Sequence, residues 1–266
     1  MQYREKRFRK EEEVIMKHSV LEVCADCVQS AINADKAGAD RIELCSNLVI
    51  GGVTPGKALF KLVRKYTEVK IRVLLRPRYG DYCYNDYEFE QLKEEVQMYH
   101  ELGADGVVIG ILRPDGQLDE ERMFELIKIA GNMDTALHRA FDACVNPMEA
   151  MEQAVSLEMK TILTGGQSGN AWNGRELLKE LNEKSAGRIE ILAAGGINAE
   201  LIEKLIPLTG IASYHMSGKA VVESSMTYRK AGVSMGLPER DEYALWQTSK
   251  EKVIQAVQVL KNVQNK

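Results

Sequence analysis

The stretch Ala37-Gly38-Ala39-Asp40-Arg41-Ile42-Glu43-Leu44-Cys45 reads as a helix end, a glycine turn and the strand that follows. Gly38 is the expected helix terminator, because glycine enters the left-handed region without a side-chain clash. The phrase returns as Leu102-Gly103-Ala104-Asp105, again just ahead of an apolar run. Working outward, eight short β-branched or leucine-rich runs stand out: Val20–Cys24, Arg41–Cys45, Ile71–Arg76, Gly106–Gly110, Thr135–His138, Thr161–Thr164, Ile189–Ala193 and Ile211–His215. Segments with helical spacing follow most of them. Tyr87, Phe89, Leu92, Val96 and Tyr99 mark one helix face, while Asn146-Pro147 and Asn198 supply helix starts.

Repetition of strand then helix predicts a parallel sheet of the α/β class. Eight such units favour closure into a (β/α)8 barrel over an open doubly wound sheet. The reading is one domain over residues 19–266, behind a charged N-terminal extension at residues 1–18. A long last helix, about Glu239 to Val263, is expected to lay Trp246, Val253, Val257 and Leu260 on the barrel or on another subunit.

The length of 266 residues suits one barrel of this kind. The net charge of -4 argues against nucleic-acid binding, which needs a basic face. It leaves room for a small anionic ligand held by a local arginine cluster. No apolar run reaches the length of about 18 residues that a membrane span needs. Five cysteines, an odd number without a secretion signal, read as reduced thiols in the cytoplasm.

In a barrel the chemistry gathers at the C-terminal ends of the strands. The first two strands end alike, as Glu22-Val23-Cys24 and Glu43-Leu44-Cys45. Alternation puts Glu22 with Cys24 on one face and Glu43 with Cys45 on one face. Neighbouring strands run about 4.8 Å apart, so two thiols at matching heights can approach. Thiolate sulfur is a soft ligand that selects Cu(I); two small buried apolar residues are the plainer alternative. Cys24-Ala25-Asp26-Cys27 is a C-x-x-C, but the Trp, Gly and Pro that flank redox motifs are missing.

Arg76 and Arg78 sit at the end of the third run and call for an anionic partner. Glu22 and Glu43 could provide it, as could a substrate carboxylate or phosphate gripped by the guanidinium fork. His138 ends the fifth strand, where it suits general acid–base work; His215, ending the eighth, has a weaker version of the same claim. Gly165-Gly166, Gly195-Gly196 and Ser217-Gly218 follow strands six to eight. They either cradle an anion with backbone N–H groups or simply allow tight turns.

With these residues in view, the sequence resembles the CutC family of copper-homeostasis proteins. The resemblance rests on Leu21-Glu22-Val23-Cys24, Gly38–Cys45, Gly51-Gly52-Val53-Thr54-Pro55, Arg76-Pro77-Arg78-Tyr79-Gly80-Asp81, His138-Arg139-Ala140-Phe141-Asp142, Leu163-Thr164-Gly165-Gly166 and Tyr228-Arg229. It runs from about residue 20 to residue 245. It implies a TIM barrel, a cytoplasmic location, self-association as a homo-oligomer and Cu(I) binding by cysteines matching Cys24 and Cys45. Where the family has Arg-Gly-Gly-Asp, this chain has Arg78-Tyr79-Gly80-Asp81.

Two functions follow. In the first, Cys24 and Cys45 hold Cu(I), with Glu22 and Glu43 shaping the site and pairing with Arg76. In the second, an enzyme binds a small phosphorylated or carboxylated substrate through Arg76, Arg78 and the glycine loops, while His138 with Glu22 or Glu43 moves protons. A scaffold with a vestigial polar mouth is a third reading, and no residue speaks for it.

Overall fold

The computed structural model describes residues 19–233, 236–237 and 241–264; the extension expected at 1–18 lies outside them. Its first strands and helices are β1 (Val20–Ala25), α1 (Val28–Lys36), β2 (Arg41–Leu44), α2 (Lys57–Tyr66), β3 (Lys70–Leu74), α3 (Asp86–Glu101), β4 (Gly106–Ile109), α4 (Glu120–Ala130) and β5 (Asp134–Leu137). They continue with α5 (Pro147–Ser156), β6 (Thr161–Thr164), α6 (Arg175–Ser185), β7 (Glu190–Ala193), α7 (Ala199–Thr209) and β8 (Ser213–Met216). A hairpin of β9 (Lys219–Glu223) and β10 (Ala244–Thr248) follows, and then α8 (Lys250–Gln264). Strands β1 to β8 pair in parallel in sequence order, and β8 pairs back onto β1, closing the (β/α)8 barrel.

The repeated Gly-Ala-Asp phrase explains part of the closure. Gly38 and Gly103 take positive φ, +86° and +73°, and end α1 and α3. The aspartate then ties the new strand to the previous one. Asp40 accepts from Leu21 N at 2.8 Å and donates its own N–H to Leu21 O. Asp105 does the same for Ile71. Helix starts are fixed by side chains: Asn85 and Glu88 form a capping box, Asn146 caps with Pro147 behind it, and Asn198 caps α7. Each such cap contributes about 1 kcal/mol.

Alternation along the strands divides the core. Leu21, Val23, Ile42, Leu44, Ile71 and Val73 face outward into the apolar layer under the helices. The barrel interior holds two smaller apolar groups, one of Cys24, Cys45, Leu74, Val108 and Ala136, the other of Leu163, Leu192 and Ala194. Below them, residues at the strand starts form a polar plug. Arg41 pairs with Glu22 and with Glu190 (2.9 Å), and Arg72 bonds Thr161 (3.0 Å) and meets Asp134 at 3.4 Å. Thr161 and Ser213 both donate to Glu190.

The expected last helix begins too early. Glu239 lies outside the described residues, and Trp246 belongs to β10, paired with Val221. Ser249 is where the chain turns helical, its hydroxyl accepting from Lys252 N. Val253, Val257 and Leu260 do bury on α8, which packs against α1, α7 and β1. Trp246 and Val253, seven positions apart, mimic one helix face across that junction.

Candidate functional site in the barrel mouth

A cavity of about 620 Å³ opens at the C-terminal ends of the strands. Cys24 from β1, Glu43 from β2, Leu74 from β3, Leu163 from β6, Ala194 after β7 and His215 from β8 line it, together with Arg76, Tyr82 and His138.

On one side stands a thiol cluster. Strand register sets Cys24 opposite Glu43 and Glu22 opposite His215. Cys24 Sγ lies 3.6 Å from Cys45 Sγ. Cys24, Glu43 and His215 present ligand atoms that all lie within 4.8 Å of one another. Cys45 sits one layer behind, fully buried against Leu74. Gly52 passes so close that a Cβ there would lie 2.8 Å from Leu74 Cδ2 and 3.5 Å from Cys45 Sγ.

Electrostatics in the cluster are strongly coupled. Burial opposes a charge on Glu22, but Arg41, His215 and Arg72 outweigh it and hold that carboxyl well below its usual range. Burial and the nearby Glu22 charge push Glu43 the other way, against the pull of His215. Burial disfavours a proton on His215, yet its contacts with Cys24 and Glu22 and the two carboxylate charges raise it well above an ordinary histidine. The Cys24 thiol is pushed up by its hydrogen bond with Cys45 and by burial. His215 Nδ1–H donates to Glu22 Oε1 at 2.8 Å, which leaves Nε2 facing Glu43 at 3.7 Å. A carboxylate behind one imidazole nitrogen is the arrangement that orients a histidine toward a metal. Two sulfurs and an imidazole are donors that a soft, monovalent copper ion accepts.

Around Arg76, Tyr82 and His138 the arrangement differs. Arg76 donates from Nη1 to Gly52 O (3.2 Å) and from Nη2 to Gly80 O (2.6 Å), and its guanidinium lies 5.0 Å from the centre of the Tyr82 ring. The Tyr82 ring centre lies 4.9 Å from that of His138, with the rings tilted by 41°. His138 Nδ1 accepts from Ala140 N at 3.1 Å, so the ring proton sits on Nε2. Burial and the Arg76 charge hold the His138 pKa down to about 3, and the ring is neutral. Room for it comes from Gly110, where a Cβ would lie 2.5 Å from His138 Cε1.

Several expectations need correction. Arg76 pairs with neither Glu22 nor Glu43; Glu22 belongs to the polar plug, a layer below Arg76. Arg78 is turned away from the cavity, tied to Glu88, Asp81 and Cys83 O. The N–H groups of Gly165 and Gln167 donate to Asp142, and that of Gly166 to Thr164 Oγ1, so this glycine loop is filled from within. Cys27 caps α1 through Ser30 N and takes no part in a dithiol with Cys24. Gly195, Gly196, His215 and Ser217 do line the mouth. Tyr82, Gly110 and Asp142 were not singled out as site residues; only the Gly51-Gly52 phrase pointed toward the loop that crosses Cys45.

Comparison with known proteins gives the family and supports the barrel fold. The family model described as CutC family matches residues 19–220. A human protein named copper homeostasis protein cutC homolog is 37% identical over 245 residues, spanning 92% of this chain and 90% of that protein. A CutC family protein from Bacteroides thetaiotaomicron is 39% identical over 249 residues, spanning 93% of this chain and all of that protein. The crystal structure of a CutC from Streptococcus agalactiae superposes with a TM-score of 0.72 at 30% identity, over 75% of this chain and 98% of that one.

Proposed function

The chain belongs to the CutC family, and from that premise we propose that it serves copper homeostasis by holding Cu(I) at the thiol side of the barrel mouth. The observation that carries this is the 3.6 Å separation of Cys24 Sγ and Cys45 Sγ, with His215 within 4.8 Å of the Cys24 sulfur. Cys24 and Cys45 are the ligands, and His215 Nε2 is the third donor within reach. Glu22 fixes the ring from behind, and Glu43 places negative charge beside a cation. Ligation displaces protons from the thiols and from His215, so the metal replaces charge that the cluster already balances.

The reading suits a reducing cytoplasm, in which all five cysteines stay unpaired. No helix among the described residues is long and apolar enough to cross a membrane. Self-association belongs to the same reading; Val221, Val222 and Leu245 stand exposed on the β9–β10 hairpin, a surface that association would cover.

The test is a Cu(I) titration in reductant against a chromophoric Cu(I) chelator. The parent should compete for one ion per chain, and the paired Cys24→Ser, Cys45→Ser variant should not. Equal competition by the two proteins would refute the assignment.

A further inference from the structure

We propose that the part of the mouth formed by Arg76, Tyr82 and His138 is a separate binding site for a small organic oxyanion, a carboxylate or phosphate ester that also carries a hydroxyl group. The site stands apart from the copper reading, because Arg76, Tyr82 and His138 hold no metal in it; Glu43 borders both and is the one residue shared.

Arg76 is buried and forms no ion pair among the described residues. Its guanidinium is held by two backbone carbonyls and by the Tyr82 face, all neutral partners. A buried cation without a counter-charge is costly, and an anion arriving in the cavity supplies one.

Arg76 Nε and His138 Nε2 are buried and have no partner. Both are donors, since a guanidinium has no acceptor and the His138 tautomer is set by Ala140 N–H. An unmet buried donor costs roughly 1–3 kcal/mol, so two of them at one cavity indicate an acceptor oxygen. Gly195 and Gly196, with φ of +95° and +76°, line the same cavity, where the lack of a side chain lets a ligand approach the main chain. Glu43 Oε1 is also buried without a partner. A ligand hydroxyl both donates and accepts, and so satisfies this carboxyl in either protonation state.

A single metal ion fills a small part of 620 Å³, whereas that volume falls within the roughly 300–1,000 Å³ common for organic ligands.

The experiment uses the full chain, free of metal, with glycerol 3-phosphate, malate and inorganic phosphate as probes. Binding is read by calorimetry and by the His138 ring resonances. At least one hydroxylated anion should bind saturably and shift those resonances, and do so more tightly than inorganic phosphate. Arg76→Gln should weaken it tenfold or more. His138→Gln, which keeps a donor near Nε2, should bind more tightly than His138→Leu. The Cys24→Ser, Cys45→Ser variant should bind as the parent does, which separates this site from the copper reading. Should an Arg76 variant fail to fold, the parent's rise in Tm with the same probes stands in for it. Absence of any saturable binding, or binding that Arg76→Gln leaves unchanged, overturns the proposal.

Discussion

Glu22 Oε1 accepts from His215 Nδ1 at 2.8 Å, across the seam where the last barrel strand closes onto the first. This contact links the two halves of the interior. Below it, Glu22 also balances Arg41 and Arg72; above it, His215 stands beside Cys24 and Glu43. One carboxylate thus serves both the fold and the thiol cluster.

Glu22→Gln should therefore do two separable things. Losing the carboxylate behind His215 should lower Cu(I) affinity by about 10–100-fold, the usual effect of removing a group that orients a ligand. It also leaves Arg41 and Arg72 short of a buried counter-charge, which should cost about 3–5 kcal/mol of stability. Chelator competition measures the first effect and urea unfolding the second. A variant as stable as the parent would show that Glu190 and Asp134 alone satisfy the arginines.

Gly110→Ala should be destabilising by about 1–3 kcal/mol, because the added methyl would sit 2.5 Å from the His138 ring, which is itself boxed in by Tyr82. Gly110 is not in the left-handed region, so the effect would be steric alone. Unfolding curves and the His138 ring resonances report it; unchanged resonances would mean that the barrel end yields without moving the histidine.

The pH dependence of stability should carry a His138 signature. Its pKa is held near 3 in the fold, against about 6.5 in the unfolded chain. The unfolded chain therefore binds the extra proton first. The stability associated with neutral His138 is complete above pH 6.5 and declines as pH falls from there toward 3, by about 1.4 kcal/mol per unit for this one group. His138→Gln removes that slope. The stability difference between parent and variant should shrink steadily from pH 7 to pH 4.5, and parallel curves would contradict the assignment.

Asp142→Ala should loosen the loop after β6. Asp142 accepts from Gly165 N, Gln167 N and Thr164 Oγ1 and pairs with Arg139. Removing it leaves main-chain donors unmet, at about 1–3 kcal/mol for those that stay buried. Hydrogen exchange at Gly165 and Gln167 should quicken, while exchange in β1 and β2 stays as it was.

The parts of this architecture visible in the chain are those set by local pattern. Short β-branched or leucine-rich runs mark the eight barrel strands, and Asn and Pro at helix starts and the twice-used Gly-Ala-Asp turn mark some of the boundaries between units. Parity alone brings Glu22, Cys24, Glu43 and Cys45 into the interior. Parity does not give height inside a barrel, because strands are staggered around the ring. That is why Arg76 looked like a partner for Glu22, when the strand register sets Glu22 beside Arg41. The glycine loop after β6 looked open to an anion because its occupant, Asp142, comes from another loop 23 residues away from Gly165. The β9–β10 hairpin was hidden for a related reason: its strands lie far apart in sequence and share no short turn.

The most direct test is X-ray absorption at the copper edge of the Cu(I)-loaded full chain. The account predicts a sulfur-dominated shell with a nitrogen contribution lost in His215→Phe, and a loss of sulfur scattering in the Cys24→Ser, Cys45→Ser variant. A copper environment made only of nitrogen and oxygen, or one indifferent to both cysteines, would contradict it.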